Sequence, residues 1–141
     1  MKNRVRRIGI LLVLISGFLV VTLAGTVFSG WAGEIPRVTP EELKKMIENK
    51  ADIVIIDNQP KSLYDKAHIL GAMNLPWAIE IEGPVDLPYD KLLILYCGCA
   101  EEEDSAYVAD QLIEKFGYNN IKLLEGGWGQ WVKLGYPIEK K

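Results

Sequence analysis

The sequence predicts an α/β domain: a parallel sheet with helices on both faces. Three observations point there. Apolar runs at residues 53–56 and 92–96 lack polar alternation, as strands buried on both sides do, and residues 121–124 read as a third strand. Segments with apolar residues at helical spacing lie between them. Strand and helix alternate along the chain, the pattern of crossover units that build a parallel sheet.

The elements follow in order. Residues 35–38 are a short apolar entry. Thr39 then caps a helix, with Pro40 in its first turn and Glu42 completing a capping box; Leu43, Met46 and Ile47 form the apolar face. The run 53–56 is a strand that ends at Asp57. Residues 61–66 read as a short helix, 72–75 as a short strand before Pro76, and 80–90, with Gly83, Pro84 and Pro88, as loop. A strand over 92–96 leads into Cys97. Residues 105–116 form an amphipathic helix with Ala106, Ala109, Leu112, Ile113 and Phe116 inward, closed by Gly117. A third strand, 121–124, precedes Gly126-Gly127 and a last short helix carrying Trp128 and Trp131.

Charge divides the chain in two. Of 16 Lys and Arg, four (Lys2, Arg4, Arg6, Arg7) precede residue 8, and all 19 acids lie from Glu34 onward. Residues 8–33 carry no charge, and a helix over most of them would reach roughly 30 Å, enough to cross a bilayer. Residues 1–33 therefore read either as a signal peptide, with Gly30-Trp31-Ala32 as a cleavage site, or as an N-terminal transmembrane anchor. Both place residues 34–141 outside the cytoplasmic membrane, in the cell envelope or periplasm if the source is bacterial. Disulfides can form there. The acidic body argues against nucleic-acid binding, which needs a basic face. A single histidine excludes multi-His metal sites.

Function in such sheets sits at the carboxyl ends of the strands. Two features stand there: Asp57 and the segment 97–105. A cysteine just after a buried strand, before a helix N-terminus, sits among backbone N–H groups that stabilise a thiolate. Cys97 and Cys99 are the candidate nucleophiles. Gly98, Ala100, Glu101, Glu102, Glu103, Asp104 and Ser105 are the candidate substrate loop, and Asp57 supports it. No Lys or Arg occurs between Leu92 and Glu114, so the four acids oppose a dianionic substrate. One pair of like charges at 6 Å costs about 3 kcal/mol at an effective dielectric near 20. The same acids serve helix capping.

These residues resemble the rhodanese-like domains. The resemblance rests on Ile55-Ile56-Asp57; Tyr64; residues 68–76, which read HILGAMNLP; Leu95-Tyr96-Cys97; Ser105-Ala106 and Ala109; and Leu124-Glu125-Gly126-Gly127 with Trp131 and Gly135-Tyr136-Pro137. It spans about residues 35–138. The resemblance implies a five-stranded parallel sheet flanked by helices on both faces. It also implies a cysteine that carries sulfane sulfur as a persulfide, with no cofactor. The partners would be a small sulfane-sulfur donor and a protein or low-molecular-weight thiol acceptor. The loop departs from the family pattern, in which arginine precedes the serine or threonine. Ser105 lies eight positions after Cys97 and six after Cys99, so counting from the strand selects Cys97, whereas counting back from the helix selects Cys99 and puts Asp104 in the arginine's place. The loop resembles that of family members with a C-x-C pair followed by acids. A neutral persulfide donor or a thiol fits it better than thiosulfate. The alternatives are a non-catalytic redox or binding module using a Cys97–Cys99 dithiol, and Cu(I) handling by the same pair, which lacks a third soft ligand nearby in sequence. His68 is expected to hold backbone at a turn.

Overall fold

The computed structural model describes residues 34–140. The readings of residues 1–33 as signal peptide or anchor lie outside the described residues. Among the described residues no helix is long and apolar enough to cross a membrane.

The order is β1 (Arg37–Val38), α1 (Pro40–Glu48), β2 (Ile53–Asp57), α2 (Lys61–Tyr64), β3 (His68–Ile69), β4 (Met73–Asn74), β5 (Leu92–Tyr96), α3 (Glu103–Phe116), β6 (Ile121–Leu124), α4 (Gly127–Lys133) and β7 (Ile138–Glu139). Five strands form one sheet in the order β1-β6-β5-β2-β4, and every pair is parallel. The α/β class and the five-stranded sheet are as expected. β3 and β7 form a separate antiparallel ladder, His68 opposite Glu139.

Alternation along β5 explains the two cores. Leu93 and Leu95 face the α3 side with Val108, Leu112 and Leu123, whereas Ile94 and Tyr96 face the other side with Val38, Leu43, Leu124 and Trp131. The expected capping box of α1 is present: Glu42 N–H donates to Thr39 Oγ1 (3.2 Å) and Thr39 N–H to Glu42 Oε2 (2.9 Å).

Two boundaries differ from the sequence reading. The apolar entry contains a true strand, β1, which pairs with β6. Helix α3 begins two residues before Ser105, at Glu103. The cause is Glu102, which turns the chain with a φ of 56° and so lets the next residue enter the helix. His68 holds backbone as expected: its Nδ1 lies 2.8 Å from Tyr64 O, and its ring stacks on Tyr64.

Candidate functional site

Central strand β5, with β2 and β6 as neighbours, delivers Cys97 to the carboxyl rim of the sheet. Cys97 is fully buried and Cys99 partly exposed. The backbone folds back on the first sulfur: Cys99 N–H points at Cys97 Sγ from 3.3 Å. Cys99 Sγ in turn meets the N–H of Asp104 in the first turn of α3. Each sulfur therefore has one backbone donor, as the strand-to-helix geometry suggested.

The two sulfurs compete for charge. The Cys99 thiol is pushed up to about 12, first by burial and then by its hydrogen bond to Cys97 and the Cys97 charge. The Asp104 N–H pulls the other way, and the Asp104 carboxyl adds to the rise. The rise keeps Cys99 as a thiol at neutral pH.

The loop rests on the turn before α4. Gly127 packs against the loop backbone, where a Cβ would come within 2.5 Å of Cys97 O and 3.2 Å of Cys99 O. Trp128 N–H donates to Cys97 O (2.9 Å). Glu102 joins the same region. Its carboxylate is buried, accepting from Gly126 N–H (2.7 Å) and from Arg37 Nε (3.1 Å). This corrects the expectation that four acids stand uncompensated at the loop, because the charge of Glu102 is met by Arg37 from β1. A cation 65 residues away left no mark in the loop sequence. Glu101 and Glu103 are exposed, as are Gly98 and Ala100, and Asp104 is partly buried.

Asp57 sits at the end of β2, fully buried. It accepts from Tyr96 Oη (2.6 Å), Gln59 N–H (2.7 Å) and Gln59 Nε2 (3.3 Å). Tyr96 Oη accepts in turn from Ile69 N–H (3.0 Å), which ties the strand end to the segment before β4. Asn74 Nδ2 donates to both Asp57 O and Gln59 O, at 2.9 Å each. Gln59 then borders the cysteine loop, its Oε1 lying 3.1 Å from where a Cβ on Gly98 would stand. Asp57 thus shapes the rim through Gln59. Two buried polar atoms have no partner among the described residues: Ser105 Oγ and Asn58 Oδ1.

Burial raises the Asp57 carboxyl above its ordinary range, against the pull of the Tyr96 and Gln59 hydrogen bonds. The folded state then holds this proton more tightly than the unfolded chain. The resulting stability is complete below the unfolded value of about 3.9 and is lost as pH rises through the folded value. Asp57→Asn is expected to flatten the dependence of urea midpoint on pH across that range. An unchanged slope would assign the dependence to other groups.

The family model described as Rhodanese-like domain matches residues 39–134. The chain belongs to the rhodanese-like domain family. Among curated relatives, this rhodanese-like chain is 29% identical over 102 residues to the probable adenylyltransferase/sulfurtransferase MoeZ of Mycobacterium tuberculosis, covering 71% of this chain and 25% of that protein. It is 30% identical over 103 residues to the adenylyltransferase and sulfurtransferase UBA4 of Candida albicans, covering 67% of this chain and 23% of that protein. The chain thus spans about a quarter of the length of these relatives. Similarity to the sulfur carrier protein TtuD of Thermus thermophilus is 30% over 89 residues, 52% of this chain and 30% of that protein. Among solved structures, the BH2092 protein of Bacillus halodurans shares the fold at a TM-score of 0.67 and 22% identity, covering 74% of this chain and 77% of that one. The rhodanese-like frame accounts for the order of the site: strand, cysteine loop, helix, then the glycine turn that packs beneath the loop.

Proposed function

We propose that this chain is a sulfurtransferase that carries sulfane sulfur on Cys97. The observation that carries the reading is the placement of the Cys97 sulfur at the end of β5 under the Cys99 N–H. Homology to the sulfurtransferase regions of MoeZ and UBA4 and to TtuD supports sulfur transfer in general. The Cys97 thiolate attacks the outer sulfur of a donor persulfide; the donor's S–S bond breaks, and the donor leaves as a thiolate. Cys97 is left as a persulfide. An acceptor thiolate then takes the outer sulfur and returns Cys97 to thiolate, so the cycle needs no external oxidant. The Cys99 N–H holds the charged sulfur.

Exposed Glu101 and Glu103 make a neutral persulfide donor or a thiol acceptor better suited than thiosulfate. The uncharged run 8–33 behind a basic cluster supports action outside the cytoplasmic membrane.

The test is intact mass of the purified full chain after incubation with glutathione persulfide and with thiosulfate. One added sulfur, roughly 32 Da, is expected on wild type and Cys99→Ser but not on Cys97→Ser. Absence of the adduct from every donor in both competent proteins would end this reading. A second reading, a redox module, is favoured by the proximity of the two thiols, whose sulfurs lie within 4.8 Å. It predicts loss of two free thiols under mild oxidation and their return on reduction, with no sulfur adduct.

A further inference from the structure

The loop of residues 97–104 brings together more than two sulfurs. Cys97 Sγ, Cys99 Sγ and a carboxylate oxygen of Asp104 all lie within 4.8 Å of one another. In sequence the thiols lack a third soft ligand, and a carboxylate is the remaining donor type nearby. The fold supplies one, because α3 starts early and its first turn carries Asp104 back over the loop. We propose that Cys97, Cys99 and Asp104 form a binding site for a thiophilic divalent cation of the zinc class.

Three features of the surroundings favour a cation. No Lys, Arg or His forms an ion pair with Asp104 among the described residues. Arg37, which pairs with Glu102 of the loop, is committed to Glu34 and Glu102. Glu101 and Glu103 are exposed at the same turn and add negative field. The charge that discourages an anionic sulfur donor therefore attracts a metal ion.

The donor set also fits. Two thiolates and a carboxylate suit tetrahedral zinc, with a fourth position left for water or an external thiol. Ligand atoms around such an ion stand about 3.5–3.8 Å apart, so closure needs side-chain movement of about 1 Å. Binding balances as one M(II), two thiols and one carboxylate giving a complex of net charge −1 and two released protons. The ion would occupy both sulfurs, and bound metal and persulfide would exclude each other.

The experiment uses the full chain, reduced, with Zn(II) in competition with a chromophoric chelator and Cd(II) as a spectroscopic probe. One ion per chain is expected, with a sulfur-to-cadmium charge-transfer absorption and proton release seen as a buffer-dependent binding heat. Asp104→Asn should weaken Zn(II) binding at least about tenfold, the scale of losing a partner at a metal. Glu101→Gln removes a charge but no ligand and should change affinity less than about threefold. Alkylation of both thiols, confirmed as two adducts by intact mass, should abolish binding, which guards against a cysteine variant that fails to fold. The inference is overturned if Asp104→Asn binds as wild type does, if Glu101→Gln loses as much as Asp104→Asn, or if the alkylated chain still binds. Metal binding is read without any sulfur donor. A failed mass adduct with intact metal binding would remove the sulfurtransferase reading alone, and an adduct without metal binding would remove this one alone.

Discussion

Gly127→Ala is expected to destabilise the domain by roughly 3 kcal/mol and to abolish sulfur loading on Cys97. The added Cβ would lie 2.5 Å from Cys97 O and 3.2 Å from Cys99 O, at a φ of 50° that favours glycine. Neither obstacle is a flexible side chain, so the loop backbone itself must move. The movement would also pull Cys97 O from Trp128 N–H, a bond of 2.9 Å. Backbone strain of this kind costs about 1–3 kcal/mol, and the lost hydrogen bond about 1 kcal/mol more. Gly129→Ala, two residues along α4, is the contrast. Nothing lies within 4 Å of its added Cβ and the site is helical, so a gain of about 1 kcal/mol is expected. Urea unfolding of the two variants measures both effects. A Gly127→Ala protein within 1 kcal/mol of wild type would show that the loop is not pinned by this contact.

The second large effect is expected at Glu102. Glu102→Ala leaves Gly126 N–H without its charged acceptor and should cost about 2 kcal/mol. Glu102→Gly makes the same deletion but relieves the φ of 56°, and should be about 1 kcal/mol more stable than the alanine variant. Glu102→Gln keeps an acceptor for Gly126 but gives up the charge opposite Arg37; its stability should be less sensitive to salt than that of wild type. The order of stabilities is the measurement: wild type, then glycine, then alanine. An alanine variant equal to or better than glycine would mean that the left-handed turn is not strained.

The parts of the fold legible in sequence are those written in consecutive residues. Thr39, Pro40 and Glu42 specify the start of α1 by local hydrogen bonds, and the apolar runs of β2 and β5 announce burial on two sides. The site loop was legible as a place, because Cys97 follows the central strand and Ser105 opens a helical period. What makes the site was less visible. The Arg37–Glu102 pair joins positions 65 apart, and no periodicity carries such a contact. Asp104 stands near the thiols just past Glu102, whose left-handed turn is a conformation no residue-type preference would assign to glutamate. β3 and β7 are two residues each, too short to show alternation, and their pairing depends on the closing segment returning from α4.

The sheet ends on both sides in strands of two residues, β1 and β4. Pro36 immediately precedes the first, and Pro76 follows two residues after the second. Neither proline has an amide hydrogen to offer a neighbouring chain. At each margin an approaching molecule therefore finds too short a template to extend the sheet from one copy to the next. Crowding or repeated refolding of these strands should leave separate domains, not fibrils.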